Sequence, residues 1–164
     1  MIKTIVTDVN GVLLPFNERT VRDSVIASLK HARSNGVKVA LCTSNPVSFV
    51  KEIVERAGLS GLHIIHGGRY VYDTETEEVI EMTAGSLKKD AAKWLLDTLN
   101  NYPHEVLGVG DMPIDLGFMG LCGEVATMHG AHSEVIDFVK ERDGFMAPSV
   151  EEDGFVKIIE NYFS

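Results

Sequence analysis

The chain has 164 residues, of which 45% are hydrophobic, and this size and composition suit one domain with a substantial core. Its 15 basic and 24 acidic residues give a formal charge of −9 without any basic patch, which speaks against a nucleic-acid partner. Two cysteines are too few for a disulfide framework, and no apolar run approaches the roughly 18 residues of a membrane span. We therefore expect a cytoplasmic protein with no membrane partner.

Six short apolar runs along the chain predict β-strands. The runs are rich in branched residues and are continuous rather than alternating, which is typical of strands covered on both faces of a sheet. They lie at residues 2–7, 37–43, 62–66, 105–110, 124–128 and 144–148. One further segment, 67–82, has two β-prone arms around a polar turn and predicts a β-hairpin.

Helical patterns fill the spaces between these runs. Apolar residues at three- and four-residue steps predict helices over 21–32 and 87–99. Between these two helices, Asn45 and Pro46 supply a cap and a first-turn residue for another helix. Strand, helix and strand in repeated order favour an α/β fold with a three-layer, doubly wound and mostly parallel sheet. We expect residues 1–164 to form this single domain.

Active sites of doubly wound sheets form beyond the C-terminal ends of the strands. In this sequence the rule selects Asp8, Thr43, Gly67 and Asp111. Asp8 and Asp111 follow the first and the fourth predicted strand, so we expect the fold to bring two carboxylates to one edge of the sheet. Two unpartnered carboxylates repel each other, and oxygen ligands of this kind suit Mg²⁺.

A phosphate group is a suitable companion for such a cation. Thr43 and the backbone amides after it supply neutral donors at a predicted helix N-terminus, a place that suits a phosphate oxygen. The positive charge that is still missing would come from Lys88 or Lys89, which open the third predicted helix.

Four motifs in chain order resemble those of the haloacid dehalogenase (HAD) superfamily. They are DVNG at 8–11, CTSN at 42–45, the lysine pair before DAAKWLL, and GVGDMPIDLGFM at 108–119. The C-terminal stretches EVATMHGAHSEVIDFV and DGFMAPSVEEDGFVKIIENY resemble the tail of the Cof-like, or type IIB, phosphatases of this superfamily. The resemblance covers nearly the whole chain and implies a Rossmann-like core and a Mg²⁺-dependent phosphatase.

The resemblance also implies roles for the acidic residues. Asp8 would be the nucleophile that attacks phosphorus and forms an aspartyl-phosphate. Asp8, Asp111 and the backbone carbonyl of Asn10 would hold the Mg²⁺, and Asp115 would lie just outside these ligands.

The phosphoryl group would be bound by Thr43, Ser44, Asn45 and a lysine. The usual separation of this lysine from the aspartate of the last motif favours Lys88, since 111 − 88 = 23. Lys89 points about 100° away on a helix and is the second choice.

Asn10 departs from the pattern that the resemblance implies. Phosphatases of this family normally have an aspartate there, which protonates the leaving alcohol and then activates the water that cleaves the aspartyl-phosphate. An amide does neither, and general acid–base catalysis is typically worth ~10²–10⁴-fold in rate. Three accounts stay open: an engineered change, a natural enzyme for substrates with good leaving groups, or a relative that has lost turnover. Ile114, where the subgroup usually has asparagine, is a second departure.

The spacing of the motifs leaves no room for the cap domain that selects substrates in many relatives. A loop and a helix fill residues 9–42, and a helix, a strand and the hairpin fill residues 44–87. A site without a cap is open, so either it accepts a large substrate or neighbouring subunits cover it. We expect a small phosphorylated metabolite as substrate and a homo-oligomer, a dimer or tetramer, with the 67–82 hairpin as its main contact element.

Three functions are compatible with this sequence. The first is a Mg²⁺-dependent phosphomonoester hydrolase that Asn10 attenuates. The second is a phosphate-binding or regulatory module that keeps the metal and the ligand without turnover. The third is carbon–halogen hydrolysis, which also begins at an aspartate nucleophile but does not require Asp111.

Overall fold

Eight β-strands and six α-helices follow one another in the computed structural model, which describes residues 1–164. The strands are β1 (Thr4–Thr7), β2 (Lys38–Leu41), β3 (Leu62–Ile65), β4 (Tyr70–Asp73), β5 (Val79–Glu81), β6 (Val106–Val109), β7 (Glu124–Met128) and β8 (Phe145–Ala147). The helices are α1 (Asp23–Ser34), α2 (Val47–Ala57), α3 (Lys88–Thr98), α4 (Leu116–Met119), α5 (Ser133–Glu141) and α6 (Gly154–Phe163). None of these helices is long and apolar enough to cross a membrane.

Five parallel strands form the main sheet in the order β2-β1-β6-β7-β8. All four residues of β1 are buried, as expected of a strand that has neighbours on both sides and helices on both faces. The last residue of β1, Thr7, pairs with Leu41 of β2 and with Val109 of β6. Because these strands run in the same direction, the residues that follow them emerge at one edge of the sheet.

Helices cover both faces of this sheet, which confirms the predicted three-layer α/β fold. Helices α1, α2 and α6 lie on one face, where Leu29, Val50 and Ile158 are buried in one apolar cluster. Helices α3, α4 and α5 lie on the other, where Leu95 and Phe118 are buried in a second cluster. The two clusters fix the sheet between the helices, so its strand ends are held in place for a site.

The third predicted strand lies outside the main sheet. β3 pairs antiparallel with β4, and β4 with β5, so the predicted hairpin is present and β3 extends it to three strands. A single parallel bridge between Cys42 and Ile64 links β3 to the chain just after β2. The N–H of Leu41 donates to Nδ1 of the buried His63 at 3.1 Å, so a side chain stands where a ladder hydrogen bond would otherwise form.

Candidate active site

The loops after β1 and β6 bring Asp8 and Asp111 together. The N–H of Asp8 donates to the carbonyl of Val109 at 2.9 Å, which continues the sheet for one residue beyond β1. Gly11, with φ +82°, lies directly beneath Asp111, and a Cβ atom there would come 2.0 Å from Asp111 Oδ2. Only glycine allows both this conformation and this close approach, so the DVNG turn is shaped to receive the second carboxylate.

Three buried carboxylates form the centre of the site. Oxygen atoms of Asp8, Asp111 and Asp115 all lie within 4.8 Å of one another. The three residues are 7%, 4% and 0% exposed, respectively, so water screens their mutual repulsion poorly. Such an arrangement is stable only where cations or protons offset the negative charge.

Lys88 is the cation that the chain itself supplies. Its Nζ lies 3.1 Å from Asp8 Oδ1 and 2.8 Å from Asp115 Oδ1, and the residue is 2% exposed. Burial opposes the charge of the ammonium, yet Asp8 and Asp115 outweigh this effect and raise the pKa of Lys88 above its ordinary value. Lys89, the next residue on α3, is exposed to solvent.

Asp115 holds both the lysine and the loop that carries Asp111. Its Oδ2 accepts hydrogen bonds from the N–H groups of Asp111 and Met112, at 3.0 and 3.2 Å, while its Oδ1 contacts Lys88. The sequence does indicate the hydrogen bonds from these backbone N–H groups, because Asp115 follows Asp111 by four residues across a turn that contains a proline. Nothing local in the sequence indicates the contact with Lys88, which is 27 positions away.

Both Asp8 and Asp111 resist ionisation. Burial, followed by repulsion from Asp115, raises the pKa of Asp8 to about 6. Burial, followed by the charge of Asp8, raises the pKa of Asp111 to about 8. One lysine therefore does not balance the three carboxylates, and an additional cation near Asp8 and Asp111 would favour their charged forms.

The residues present fit a divalent cation. Asp111 Oδ1 is buried and has no hydrogen-bond partner, which is costly unless a ligand satisfies it. Carboxylate oxygens without imidazole or thiolate ligands are the donor set that Mg²⁺ prefers. Asp8 and Asp111 supply this set, and the main-chain carbonyl of Asn10 follows Asp8 closely in the same loop.

The loop after β2 forms the opposite wall. Thr43 is buried, and its Oγ1 accepts a hydrogen bond from the N–H of Asn45 at 3.1 Å, whereas Ser44 is exposed. The prediction that Asn45 caps α2 is wrong, because Pro46 takes the cap position in an extended conformation without a side-chain bond. The amide of Asn45 is instead used across the site, where Nδ2 donates to Asn10 Oδ1 at 2.5 Å.

The turn at 66–68 links this wall to the start of α3. The N–H of His66 donates to the carbonyl of Asn45 at 3.1 Å, and the N–H of Gly67 donates to the carbonyl of Thr43 at 3.0 Å. Gly68, at φ +102°, packs so closely on α3 that a Cβ atom would lie 2.1 Å from the carbonyl carbon of Leu87. Gly68 is not among the residues predicted from the sequence, although the pair of glycines after β3 is a usable signal.

Four large apolar side chains are exposed on the loops that carry the site. Phe16 is near Gly11 and is 68% exposed, and Leu87, which precedes Lys88, is 59% exposed. Met112 and Ile114, in the Asp111 loop, are 41% and 54% exposed. Groups of exposed apolar side chains are uncommon on soluble proteins unless they contact a ligand or a partner.

Comparison with known proteins assigns the chain to a family. Residues 5–104 match the haloacid dehalogenase-like hydrolase family, which is more than half of the chain. The chain belongs to this family. A candidate phosphatase of Streptococcus pyogenes is 34% identical over 82 residues, which cover 48% of this chain and 30% of that relative. The matched stretch is thus less than a third of the length of this relative.

Solved structures of the HAD superfamily share the fold. A haloacid dehalogenase-like hydrolase from Bacteroides thetaiotaomicron has a TM-score of 0.86 at 13% identity, with 99% of this chain and 100% of that chain covered. A sugar phosphatase of HAD subclass IIB has a TM-score of 0.78 at 14% identity, with 98% of each chain covered. The resemblance that the four motifs predicted is therefore confirmed at the level of family and fold.

Proposed function

We propose that this HAD-family chain is a Mg²⁺-dependent phosphomonoester hydrolase that forms an aspartyl-phosphate on Asp8, and that Asn10 attenuates its turnover. One observation carries the proposal. The carboxylate of Asp8 lies in a single buried cluster with the ammonium of Lys88 at 3.1 Å and with Asp111, whose Oδ1 has no protein partner. A nucleophile, a fixed positive charge and a cation ligand are the parts that phosphoryl transfer requires.

The two oxygens of Asp8 have different surroundings. Oδ1 accepts from the N–H of Val9 at 2.8 Å and from Lys88 at 3.1 Å. These two donors fix the orientation of the carboxylate and leave Oδ2 to attack phosphorus. Asp8, Asp111 and the carbonyl of Asn10 would hold Mg²⁺, which when bound neutralises charge on the phosphoryl oxygens.

The remaining predicted residues would bind the phosphoryl group. Thr43, Ser44 and Asn45 precede α2 and offer hydroxyl and amide donors to its oxygens, as donors at the start of a helix do elsewhere. Lys88 would offset its negative charge. Asp115 would act indirectly, because it orients Lys88 at 2.8 Å and holds the backbone of Asp111.

Asn10 limits the rate in this proposal. An amide gives no proton to a leaving alkoxide and takes none from an attacking water. The missing general acid–base catalysis corresponds to roughly 3–5 kcal/mol of barrier in each step that needs it. The metal ligand at this position would be the backbone oxygen of Asn10, so the side chain would not impair metal binding.

The substrate would be a small phosphorylated metabolite that reaches an open site. Between β3 and α3 the chain forms only the β4 and β5 arms and short loops, so we propose that it works without a cap domain, as one domain over 1–164. A formal charge of −9 disfavours nucleic acid and anionic membranes as partners, and we propose a cytoplasmic location.

We further propose that copies of the chain associate as a dimer or tetramer through the hairpin. β5 is the edge strand of the small sheet, and its Val79 is 47% exposed. An exposed edge with an apolar side chain is suited to contact with a second copy. Light scattering measures the molar mass of the unaltered protein and of Val79→Lys. The added charge at the edge strand should shift the mass toward that of the monomer. A monomeric unaltered protein would contradict the proposal.

A second candidate function is a phosphate-binding or regulatory module without turnover. The observation that favours it is the hydrogen bond from Asn45 to Asn10, which engages the side chain at the usual acid–base position. Carbon–halogen hydrolysis is less well supported, because it assigns no role to the unpartnered oxygen of Asp111.

Release of phosphate from p-nitrophenyl phosphate with Mg²⁺ tests the proposed function. The protein, Asn10→Asp and Asp8→Asn should be compared at equal concentration. Restoration of the acid should raise the steady-state rate by ~10²–10⁴-fold, and removal of the nucleophile should abolish it. If Asn10→Asp is as silent as Asp8→Asn on a range of phosphate esters, the hydrolase proposal is wrong and the binding module is supported.

A further inference from the structure

We propose that this chain accepts phosphoryl groups from acyl phosphates and retains them on Asp8 as a long-lived aspartyl-phosphate. The inference rests on the proposed function, in that Asp8 is the nucleophile. It adds the class of phosphoryl donor and the fate of the phosphorylated protein. The class of donor and the lifetime of the phosphorylated protein both follow from the chemistry of the side chains that surround Asp8.

No group around Asp8 is placed to give a proton to a leaving group once a divalent cation is bound, because Asp111 then ionises as a ligand and residue 10 is an amide. Lys88 is bonded to Asp8 and Asp115, and both oxygens of Asp115 are engaged, one by Lys88 and the other by two backbone N–H groups. Thr43 and Asn10 offer a hydroxyl and an amide, which are too weakly acidic at neutral pH to give up a proton. A leaving group must therefore depart as its own anion.

This condition selects the donor by the acidity of its leaving group. An alcohol has a pKa near that of water, about 15.7, so an alkoxide leaves very slowly without a proton. A carboxylic acid has a pKa of about 4, so a carboxylate leaves readily at neutral pH. An acyl phosphate, the mixed anhydride of a carboxylic and a phosphoric acid, meets the condition, whereas an alkyl phosphate does not.

The transfer is balanced without any proton. An oxygen of Asp8 forms a bond to phosphorus while the bond between phosphorus and the acyl oxygen breaks. The leaving carboxylate takes the electron pair of the broken bond. Because the product on Asp8 is itself a mixed anhydride, one acyl phosphate is exchanged for another, and no large driving force is needed in either direction.

Loss of the phosphoryl group to water would be slow for a different reason. Water attacking the aspartyl-phosphate must give up a proton, and the side chain at position 10, which would take it as an aspartate, is an amide. The Asn10 oxygen accepts a hydrogen bond from Asn45 Nδ2 at 2.5 Å, and an amide oxygen takes up no proton from water at neutral pH. The remaining polar group of Asn10 is its NH₂, which only donates.

The surroundings of the site also favour an acyl group over a polyphosphate. The exposed apolar side chains near the site, Phe16, Leu87, Met112 and Ile114, suit contact with a short hydrocarbon part. A nucleoside triphosphate would instead carry additional negative charge toward a protein whose formal charge is already −9.

Acetyl phosphate with Mg²⁺ is the probe that tests this inference. The intact mass of the protein should rise by one phosphoryl group, and acetate should appear as a burst of one equivalent per chain. Glycerol phosphate at the same concentration should leave the mass unchanged, and Asp8→Asn should remain unmodified with both donors. Asn10→Asp should turn over acetyl phosphate continuously and lose its phosphoryl group ~10²–10⁴-fold faster.

Two results separate this inference from the proposed function. If the unaltered protein turns over acetyl phosphate as fast as Asn10→Asp and no phosphoprotein accumulates, or if glycerol phosphate modifies it equally well, the inference is wrong while Asp8 can still be the nucleophile. If Asn10→Asp neither becomes phosphorylated nor releases phosphate from any donor, the proposed function itself is wrong.

Discussion

Lys88 and Asp115 form an ion pair of 2.8 Å that is shielded from solvent, with side-chain exposures of 3% and 0%. The same ammonium reaches Asp8 at 3.1 Å. Lys88→Met should therefore leave two buried carboxylates without their counter-charge, and we expect the free energy of unfolding to fall by about 3–5 kcal/mol. Urea denaturation at neutral pH without metal measures this change.

Lys89→Met is the matched control for that experiment. Lys89 is the next residue on the same helix and is exposed, so its replacement should change the free energy of unfolding by less than about 0.5 kcal/mol. Equal losses for the two variants would show that the charge of Lys88 is not what balances the carboxylates.

The raised pKa values of Asp8 and Asp111 predict how Mg²⁺ affects stability at different pH. Both pKa values are raised in the folded protein, to about 6 and about 8. The stabilisation that the two protonated carboxyl groups give to the folded state is therefore fully present below the ordinary pKa of 3.8. This stabilisation is lost as pH rises through the two raised pKa values. Mg²⁺ favours the ionised carboxylates, so it should raise the melting temperature more near pH 8 than near pH 6.

Asp111→Asn provides the control for this prediction. Without metal it should melt at a higher temperature than the unaltered protein near pH 8, because the costly buried charge is gone. It should also lose most of the response to Mg²⁺. An Mg²⁺ effect of the same size at both pH values, or one that survives in Asp111→Asn, would contradict the assignment of the cation to these carboxylates.

Gly68 should position Lys88 through its close contact with the start of α3. A Cβ atom at Gly68 would lie 2.5 Å from the backbone nitrogen of Lys88, so Gly68→Ala must displace the helix or the turn. In the Asn10→Asp protein we expect kcat for p-nitrophenyl phosphate to fall at least about tenfold, because small misplacements of reacting groups are costly.

Gly85→Ala separates this effect from backbone strain. Gly85 also has a positive φ, +83°, but nothing lies within 4 Å of the Cβ position. Both variants carry the conformational cost of alanine at positive φ, about 1–2 kcal/mol, whereas only Gly68→Ala disturbs Lys88. A similar fall in kcat for both variants would remove the positioning role from Gly68.

Several features of the fold and site could be predicted from the sequence because they depend on local patterns. Continuous apolar runs predicted the strands. The shared direction of parallel strands predicted that Asp8 and Asp111 lie at one edge of the sheet. The position of β3 outside the main sheet could not be predicted, because it involves contacts such as that of His63 with the backbone of Leu41, 22 positions earlier, which have no local pattern.

The partners of Asn45 and Lys88 were also beyond the reach of local patterns. Asn45 before a proline is a usual helix cap, but its amide bonds to Asn10, 35 positions earlier in the chain. Lys88 and Lys89 are equivalent as a local pattern, and only the packing of α3 against the sheet makes one buried and the other exposed. Long-range contacts of this kind carry no periodic signal.

The buried His63 should make the protein sensitive to acid. Burial lowers its pKa from 6.5 to about 4, and its Nε2 has no hydrogen-bond partner. The unfolded chain therefore takes up a proton as pH falls through 6.5 while the folded chain does not, so stability is lost between these two values. A difference of 6.5 − 4 at about 1.4 kcal/mol per pH unit amounts to about 3 kcal/mol.

His63→Asn removes the titration and keeps an acceptor for the N–H of Leu41. Urea denaturation between pH 4 and pH 7 should show a shallower loss of stability for this variant than for the unaltered protein, even if its stability at neutral pH is lower. Parallel curves would mean that His63 is not the group responsible.

Asp8 is the residue that we expect to carry the phosphoryl group. Borohydride reduction of the protein after reaction with acetyl phosphate and Mg²⁺ converts an aspartyl-phosphate to homoserine, and peptide sequencing by mass spectrometry locates it. We expect homoserine at position 8 and an unmodified chain in Asp8→Asn. Homoserine at position 111 or 115 instead, or a phosphoryl group that survives in Asp8→Asn, would contradict it.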